Sequence, residues 1–187
     1  MNVISMTEEI SRELEASEKK RESVISSSRS IIRKTKKVIH AIHQQEDHRK
    51  AMDGLVKDVA ALVADIDQET MRSAEDALME FAEARIFESV VLEKEIPSYS
   101  DLGISSRAWA LGLADSLGEI RRMILNLLLA GNKGKAEYLF KRMEEICEAV
   151  MSFDVPDAVL PIRRKQDVAR SVTEKTRTGL VYSCLRN

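Results

Sequence analysis

Turn-forming residues are scarce in this chain: seven glycines and three prolines in 187 residues are too few for a β-sandwich, a collagen-like chain or a disordered tail. Aromatic residues make up only 4%, which leaves little material for extensive stacking on nucleobases. There is no long hydrophobic run either. The most apolar stretch, Met123 to Ala130, is interrupted by Asn126 and falls far short of the roughly 20 residues that span a bilayer. The first residues are acidic and amphipathic rather than basic and then apolar, so neither a secretory signal nor a transit peptide is expected. Cys147 and Cys184 lack CxxC or Cys/His spacing, which reads as a reduced, intracellular protein with the cytoplasm as its expected compartment.

What remains is a helix-forming composition, 44% hydrophobic and 32% charged, of a size suited to one core. The expectation is an all-α fold: an antiparallel bundle of about six or seven helices in one domain over residues 1–187. A long helix is expected from Thr7 to about residue 47, with a bend at Ser26-Ser27-Ser28. Residues 48–65 carry apolar positions at 52, 55, 59, 62 and 63, a helical stripe. Asp65 and Gln68 stand at capping-box spacing before a helix that runs to about Glu95 and stops ahead of Pro97. IPSYSDLGISS is the clearest loop. Helices then cover about 106–130 and 135–152, and Pro156 opens a last element that Pro161 can break again. The GNKG stretch after residue 130 lacks both a preceding strand and a GKS or GKT ending, so it is a helix–helix turn and not a phosphate cradle. The eight methionines are core filler.

The formal net charge of −2 hides a separation of sign. Residues 1–17 sum to −3, residues 18–50 to +6, the middle to −10, and residues 163–187 to +5. Two basic segments around an acidic centre suit a polyanion held at the periphery. Each basic run taken alone also fits an ordinary solvated helix face. His40, His43 and His48 fall in or beside the first run, where each is either a phosphate donor or a plain surface or core histidine.

The helix expected around 109–129 is apolar on most sides. Only Asp115, Glu119, Arg122 and Asn126 form a polar stripe on its helical projection. Gly112 and Gly118 lie inside it at a cost of about 1 kcal/mol each relative to alanine, which points to close packing of a neighbouring backbone. On the preceding helix, Glu80 and Glu83 share a face with Asp76, Phe87, Val90 and Val91. If the two helices pack side by side, four carboxylates converge. At an effective dielectric of about 20, each pair about 4 Å apart repels by roughly 4 kcal/mol, so protonation or a cation is required. Oxygen ligands alone select a hard ion, Mg²⁺ or Mn²⁺. The competing arrangement leaves Glu80 and Glu83 at the rim and pairs Asp115 and Glu119 with Arg122 or with a lysine from elsewhere.

At these residues the chain resembles the translin/Trax family. Glu80-Phe-Ala-Glu83-Ala84 is similar to the EYVEA-like motif of Trax-type subunits, and Gly112-Leu-Ala-Asp115-Ser-Leu-Gly118-Glu119-Ile-Arg-Arg-Met123 to their GVADLTGELMRM segment. Ser28-Arg29-Ser-Ile31 through Lys36-Lys37 to His43 resembles the SRDI…SKR…H pattern. Leu160-Pro-Ile-Arg163-Arg-Lys165-Gln-Asp167-Val-Ala-Arg170 resembles the stretch LRRKxDxxR. The likeness extends along the whole chain but is close only in these four blocks.

The resemblance implies a bundle of about seven helices that assembles into octamers and binds single-stranded RNA and DNA. It further implies a Mg²⁺-dependent endoribonuclease with Glu80, Glu83, Asp115 and Glu119 as catalytic and metal-binding residues and Lys36 as a catalytic lysine. Arg29, Arg33, Lys36, Lys37, His43, Arg122, Arg163, Arg164, Lys165 and Arg170 are the expected nucleic-acid contacts. Partners are expected to be further copies of the chain or a translin-like second subunit. Ile31-Ile32-Arg33 departs from the family's acidic, hydroxyl-rich stretch, and the long insertion and basic N-terminal extension of larger Trax proteins are missing. A non-catalytic, translin-like scaffold that binds single-stranded RNA or DNA is the reading from a different class.

Overall fold

The first helix, α1 (Val3–His43), runs 41 residues without a break, about 60 Å at 1.5 Å per residue. No break interrupts it at the serine run, where Val24, Ser28, Ile31, Thr35, Val38 and Ile42 continue one buried stripe. Tertiary packing overrides the weak helix propensity of serine there. Ahead of Val24 the helix is exposed apart from the half-buried Lys20. The computed structural model describes residues 3–185, with side chains to Tyr182. Cys184 and Arg186 therefore lie outside the described side chains, while Cys147 is a half-buried free thiol.

Helix α2 (Arg49–Asp65) lies against α1 through Met52, Leu55, Val59 and Leu62, the stripe read from the sequence. The capping box at Asp65 and Gln68 does not form. The chain turns extended at Ile66, and Asp67 accepts from the backbone N–H groups of Glu69 and Thr70 at 3.0 Å each. Lys20 of α1 bonds the same carboxylate. The Lys20 bond, together with the N–H and hydroxyl of Thr70, holds Asp67 far below the usual carboxylate range.

Helix α3 (Met71–Val91) ends four residues earlier than expected, where Glu93 takes a left-handed φ of 57° and the N–H of Lys94 returns to the carbonyl of Ser89 at 2.8 Å. The loop that follows is pinned by Trp109 Nε1, which donates to the carbonyl of Pro97 at 2.8 Å. Ser105 then caps α4 (Ser106–Leu129), accepting from Ala108 N–H at 3.1 Å. Gly131, with φ of 76°, turns the chain, and Asn132 caps α5 (Lys133–Met151). Pro156 does not open the last helix. Residues 152–162 form an irregular strap, and α6 (Arg163–Leu185) starts after Pro161. The Gln166 amide donates to the carbonyls of Val150 and Phe153 at 3.0 and 2.8 Å, tying α6 to the end of α5.

The fold is thus an antiparallel all-α bundle of six helices, without strands among the described residues. Helix α4 lies at its centre, packed on α3, α5 and α6, and α3 in turn packs on α1. One hydrophobic cluster runs through all of them, with Phe81, Phe87, Leu117, Ile120, Met123 and Ile124 among its largest fully buried side chains. No helix among the described residues is long and apolar enough to cross a membrane.

Candidate active site on helices α3 and α4

The site begins with a glycine. A Cβ on Gly112 would lie 2.6 Å from the Met79 carbonyl oxygen, 2.7 Å from Ala82 Cβ and 2.9 Å from Glu83 N. Nothing larger than hydrogen fits, and α4 can touch the backbone of α3 at the turn that carries Glu80 and Glu83. Asp115 and Glu119 follow Gly112 at three and seven residues, one and two turns along the same helix. Gly118 differs: its Cβ would meet nothing within 4 Å, so close packing accounts for one of the two helical glycines and not the other.

The charges of Asp115, Glu119 and Glu80 all bear on Glu83, and three of the four carboxylates have a cation of their own. Lys165 of α6 donates to both oxygens of Asp115, at 2.5 and 2.6 Å. His43, the last residue of α1, donates through Nε2 to Glu119 at 2.5 Å, and Arg122 stands 3.8 Å from the same carboxylate. Lys36 reaches Glu80 at 3.8 Å. The histidine bond, aided by the charges of His43 and Arg122, holds the Glu119 carboxyl below its ordinary value. Partial burial raises Glu80, with Lys36 pulling against it.

Glu83 is the exception. No hydrogen bond or ion pair reaches its side chain among the described residues. Burial pushes its pKa from 4.5 up to about 8, reinforced by the negative charges of Asp115, Glu119 and Glu80 and only partly relieved by Lys165. A carboxyl placed among like charges in a low-dielectric site retains its proton until a cation offsets them.

His43 was expected at a phosphate, but its side chain is fully buried, its ring lies 4.8 Å from that of Phe87, and its one polar contact is Glu119. Burial removes it from any nucleic-acid surface and makes it a brace for the carboxylate. Its position four residues after Ile39 and eight after Thr35, both buried, is the sequence signal that marks it as inward-facing. Lys165, also expected at nucleic acid, is turned in to Asp115; its place four residues before Ala169 and eight before Thr173, both buried, carries the same signal.

No family model matches the chain. It is 32% identical over 167 residues to an uncharacterized protein of Methanocaldococcus jannaschii, covering 86% of this chain and 75% of that protein. The solved structure of AfC3PO superposes with a TM-score of 0.86 at 28% identity, covering 96% of this chain and 97% of the other. The complex of AfC3PO with duplex RNA gives 0.85 at the same identity and coverage. Apo-NeC3PO, at 20% identity and a TM-score of 0.85 over 95% of this chain and 96% of its own, adds support for the fold alone. The chain has the fold of the translin/Trax family.

In this translin/Trax fold the basic residues flank the carboxylates on two elements. Arg29, Arg33, Lys36 and Lys37 are exposed on the side of α1 away from its buried stripe. Arg163, Arg164 and Arg170 are exposed along α6, with Arg163 3.8 Å from Asp157 and Arg170 3.9 Å from Asp167. As the side chains stand, no three His, Cys, Asp or Glu residues among those described are gathered closely enough to hold a metal ion. The donor chemistry nevertheless suits a hard cation: all-oxygen ligands, mutual repulsion at Glu83, and Glu80 and Glu119 approached at 3.8 Å by the exposed side chains of Lys36 and Arg122.

Proposed function

We propose that this chain is a Mg²⁺- or Mn²⁺-dependent endoribonuclease that cuts single-stranded RNA. The observation that carries the reading is Glu83, a carboxyl without a partner, set among three others where Gly112 lets two helices touch. Groups with strongly raised pKa values and no structural partner are concentrated at functional sites. Glu80, Glu83, Asp115 and Glu119 would hold the metal, which supplies a lowered water pKa and charge on a phosphoryl oxygen. His43 fixes the direction of Glu119. Lys36 and Arg122, exposed at the edge of the cluster, neutralise the scissile phosphate. Arg29, Arg33 and Lys37 on α1 and Arg163, Arg164 and Arg170 on α6 supply the salt-dependent backbone contacts that dominate nucleic-acid affinity. The AfC3PO–duplex RNA complex supports RNA as the polyanion. Single-stranded DNA competes for the same phosphate contacts, and the working unit is an oligomer of this chain, an octamer by family resemblance, or a mixed one with a translin-like subunit.

A second reading has its own support. Three of the four carboxylates are already compensated internally, which fits an RNA-binding scaffold without catalysis. An end-labelled single-stranded RNA, incubated with the protein in Mg²⁺ and in EDTA, separates the two. Mg²⁺-dependent cleavage that is lost in Glu83→Gln and Glu119→Ala is the expected result. Salt-sensitive RNA retention with no cleavage in any divalent ion would establish the scaffold.

A further inference from the structure

Arg163, Arg164 and Lys165 open α6 as three successive cations, yet only the third is turned inward. Its Nζ sits 2.5 and 2.6 Å from the two oxygens of Asp115, the place a hard cation takes when it binds a carboxylate through both oxygens. An ammonium and a divalent ion cannot share that place. Beside the pair, a cleft of about 410 Å³ opens between α4 and α6, walled by Leu117, Val168 and Val172, with Gly118 on α4 and Arg164 at the α6 side. The absence of a side chain at Gly118, whose Cβ would touch nothing, helps keep that cleft open. Arg164 and Lys165 both line this cleft, so two cations would face an incoming anion once Lys165 left Asp115.

We propose that Lys165 is a displaceable internal counter-ion: it holds Asp115 in the metal-free protein, yields it to a divalent cation, and then pairs with Arg164 to bind a backbone phosphate in the α4–α6 cleft. The inference rests on the metal-dependent reading of the same carboxylates. It makes metal and polyanion binding mutually reinforcing, because each favours the outward position of one side chain.

The test is Mn²⁺ binding, followed by electron paramagnetic resonance, to the full-length wild type, Lys165→Gln, Lys165→Met and Arg122→Gln, each with and without a 2′-O-methyl RNA strand. Arg122→Gln removes a positive charge 3.8 Å from Glu119 without freeing Asp115, and so measures the general electrostatic effect. Without the strand, both Lys165 variants bind Mn²⁺ about tenfold tighter than wild type, and Arg122→Gln gains clearly less. The strand tightens Mn²⁺ binding to wild type and has little effect on the Lys165 variants. Equal Mn²⁺ affinity in wild type and the Lys165 variants, an equal gain in Arg122→Gln, or the same response to the strand in all proteins overturns the proposal while leaving the metal site intact. Absence of Mn²⁺ binding in every protein overturns the metal-dependent reading and this inference with it. Circular dichroism establishes that the variants compared are folded.

Discussion

Helix α3 carries a half-buried glutamate, Glu83, and a buried one, Glu88, five residues apart whose surroundings are opposite. Glu88 is 8% exposed; His48 Nε2 lies 3.0 Å from one of its oxygens and Arg85 donates to the other at 2.6 Å. Glu83 has neither kind of partner, and the charges that act on it most are those of other carboxylates. A paired buried charge keeps its helix in place, and removing its partner is costly. An unpaired one among like charges opposes folding and is retained for another reason. The same side chain on the same helix is thus paired at one turn and unpaired at another, and what distinguishes the two is the charge around it: Arg85 and His48 at Glu88, and Asp115, Glu119 and Glu80 at Glu83.

The comparison can be broken in several ways, and the largest expected effect is on rate. Glu83→Gln keeps the shape and removes the charge; RNA cleavage in Mg²⁺ falls by about a hundredfold or more, measured under single turnover, while the fold is retained. Glu88→Ala, by contrast, strands Arg85 and His48 and costs about 3 kcal/mol in urea unfolding. Gly112→Ala forces the α3 backbone away from α4 and costs about 1–3 kcal/mol, and it lowers cleavage as well because the displaced turn carries Glu83. Gly118→Ala has open space and a helical backbone, so it raises stability by up to about 1 kcal/mol. If Gly112→Ala and Gly118→Ala have equal effects on unfolding, the close approach of α3 and α4 does not limit the site.

The pH dependence sharpens the same contrast. Glu83 titrates at 4.5 when unperturbed and at about 8 in the folded, metal-free protein, so the folded state holds a proton that the unfolded chain releases. Its contribution is fully favourable below about pH 4.5 and is lost as the pH climbs through about 8. Urea titrations of the metal-free protein at several pH values are expected to show stability falling across that window in wild type, and a shallower fall in Glu83→Gln. Identical slopes would mean that Glu83 is ionised and compensated throughout.

Most of the helices were legible because their apolar stripes repeat at helical spacing, and the close approach at Gly112 followed from the cost of a glycine inside α4. The failures share a cause. Asp67 stands in place of Asp65 as the turn residue, bonded to Glu69 and Thr70 and joined by Lys20 from 47 positions away. The bracing of Glu119 by His43 spans 76 positions and the holding of Asp115 by Lys165 spans 50, so no local pattern gives either bond. Asp115 and Glu119 do have cations, as the pairing alternative held, yet Glu83 lies beside them without one. Glu88 went unsingled because an isolated glutamate on a helix reads as solvated until His48 and Arg85 are seen to enclose it.

The most direct measurement places Glu83→Gln and Glu88→Gln in one experiment, with RNA cleavage in Mg²⁺ and urea stability recorded on the same preparations. Glu83→Gln should lose cleavage and keep its stability, whereas Glu88→Gln should lose stability and, while folded, keep cleavage. Equal cleavage by wild type and Glu83→Gln, or equal losses of rate and stability in both variants, would contradict the assignment of the α3–α4 carboxylates as the catalytic centre.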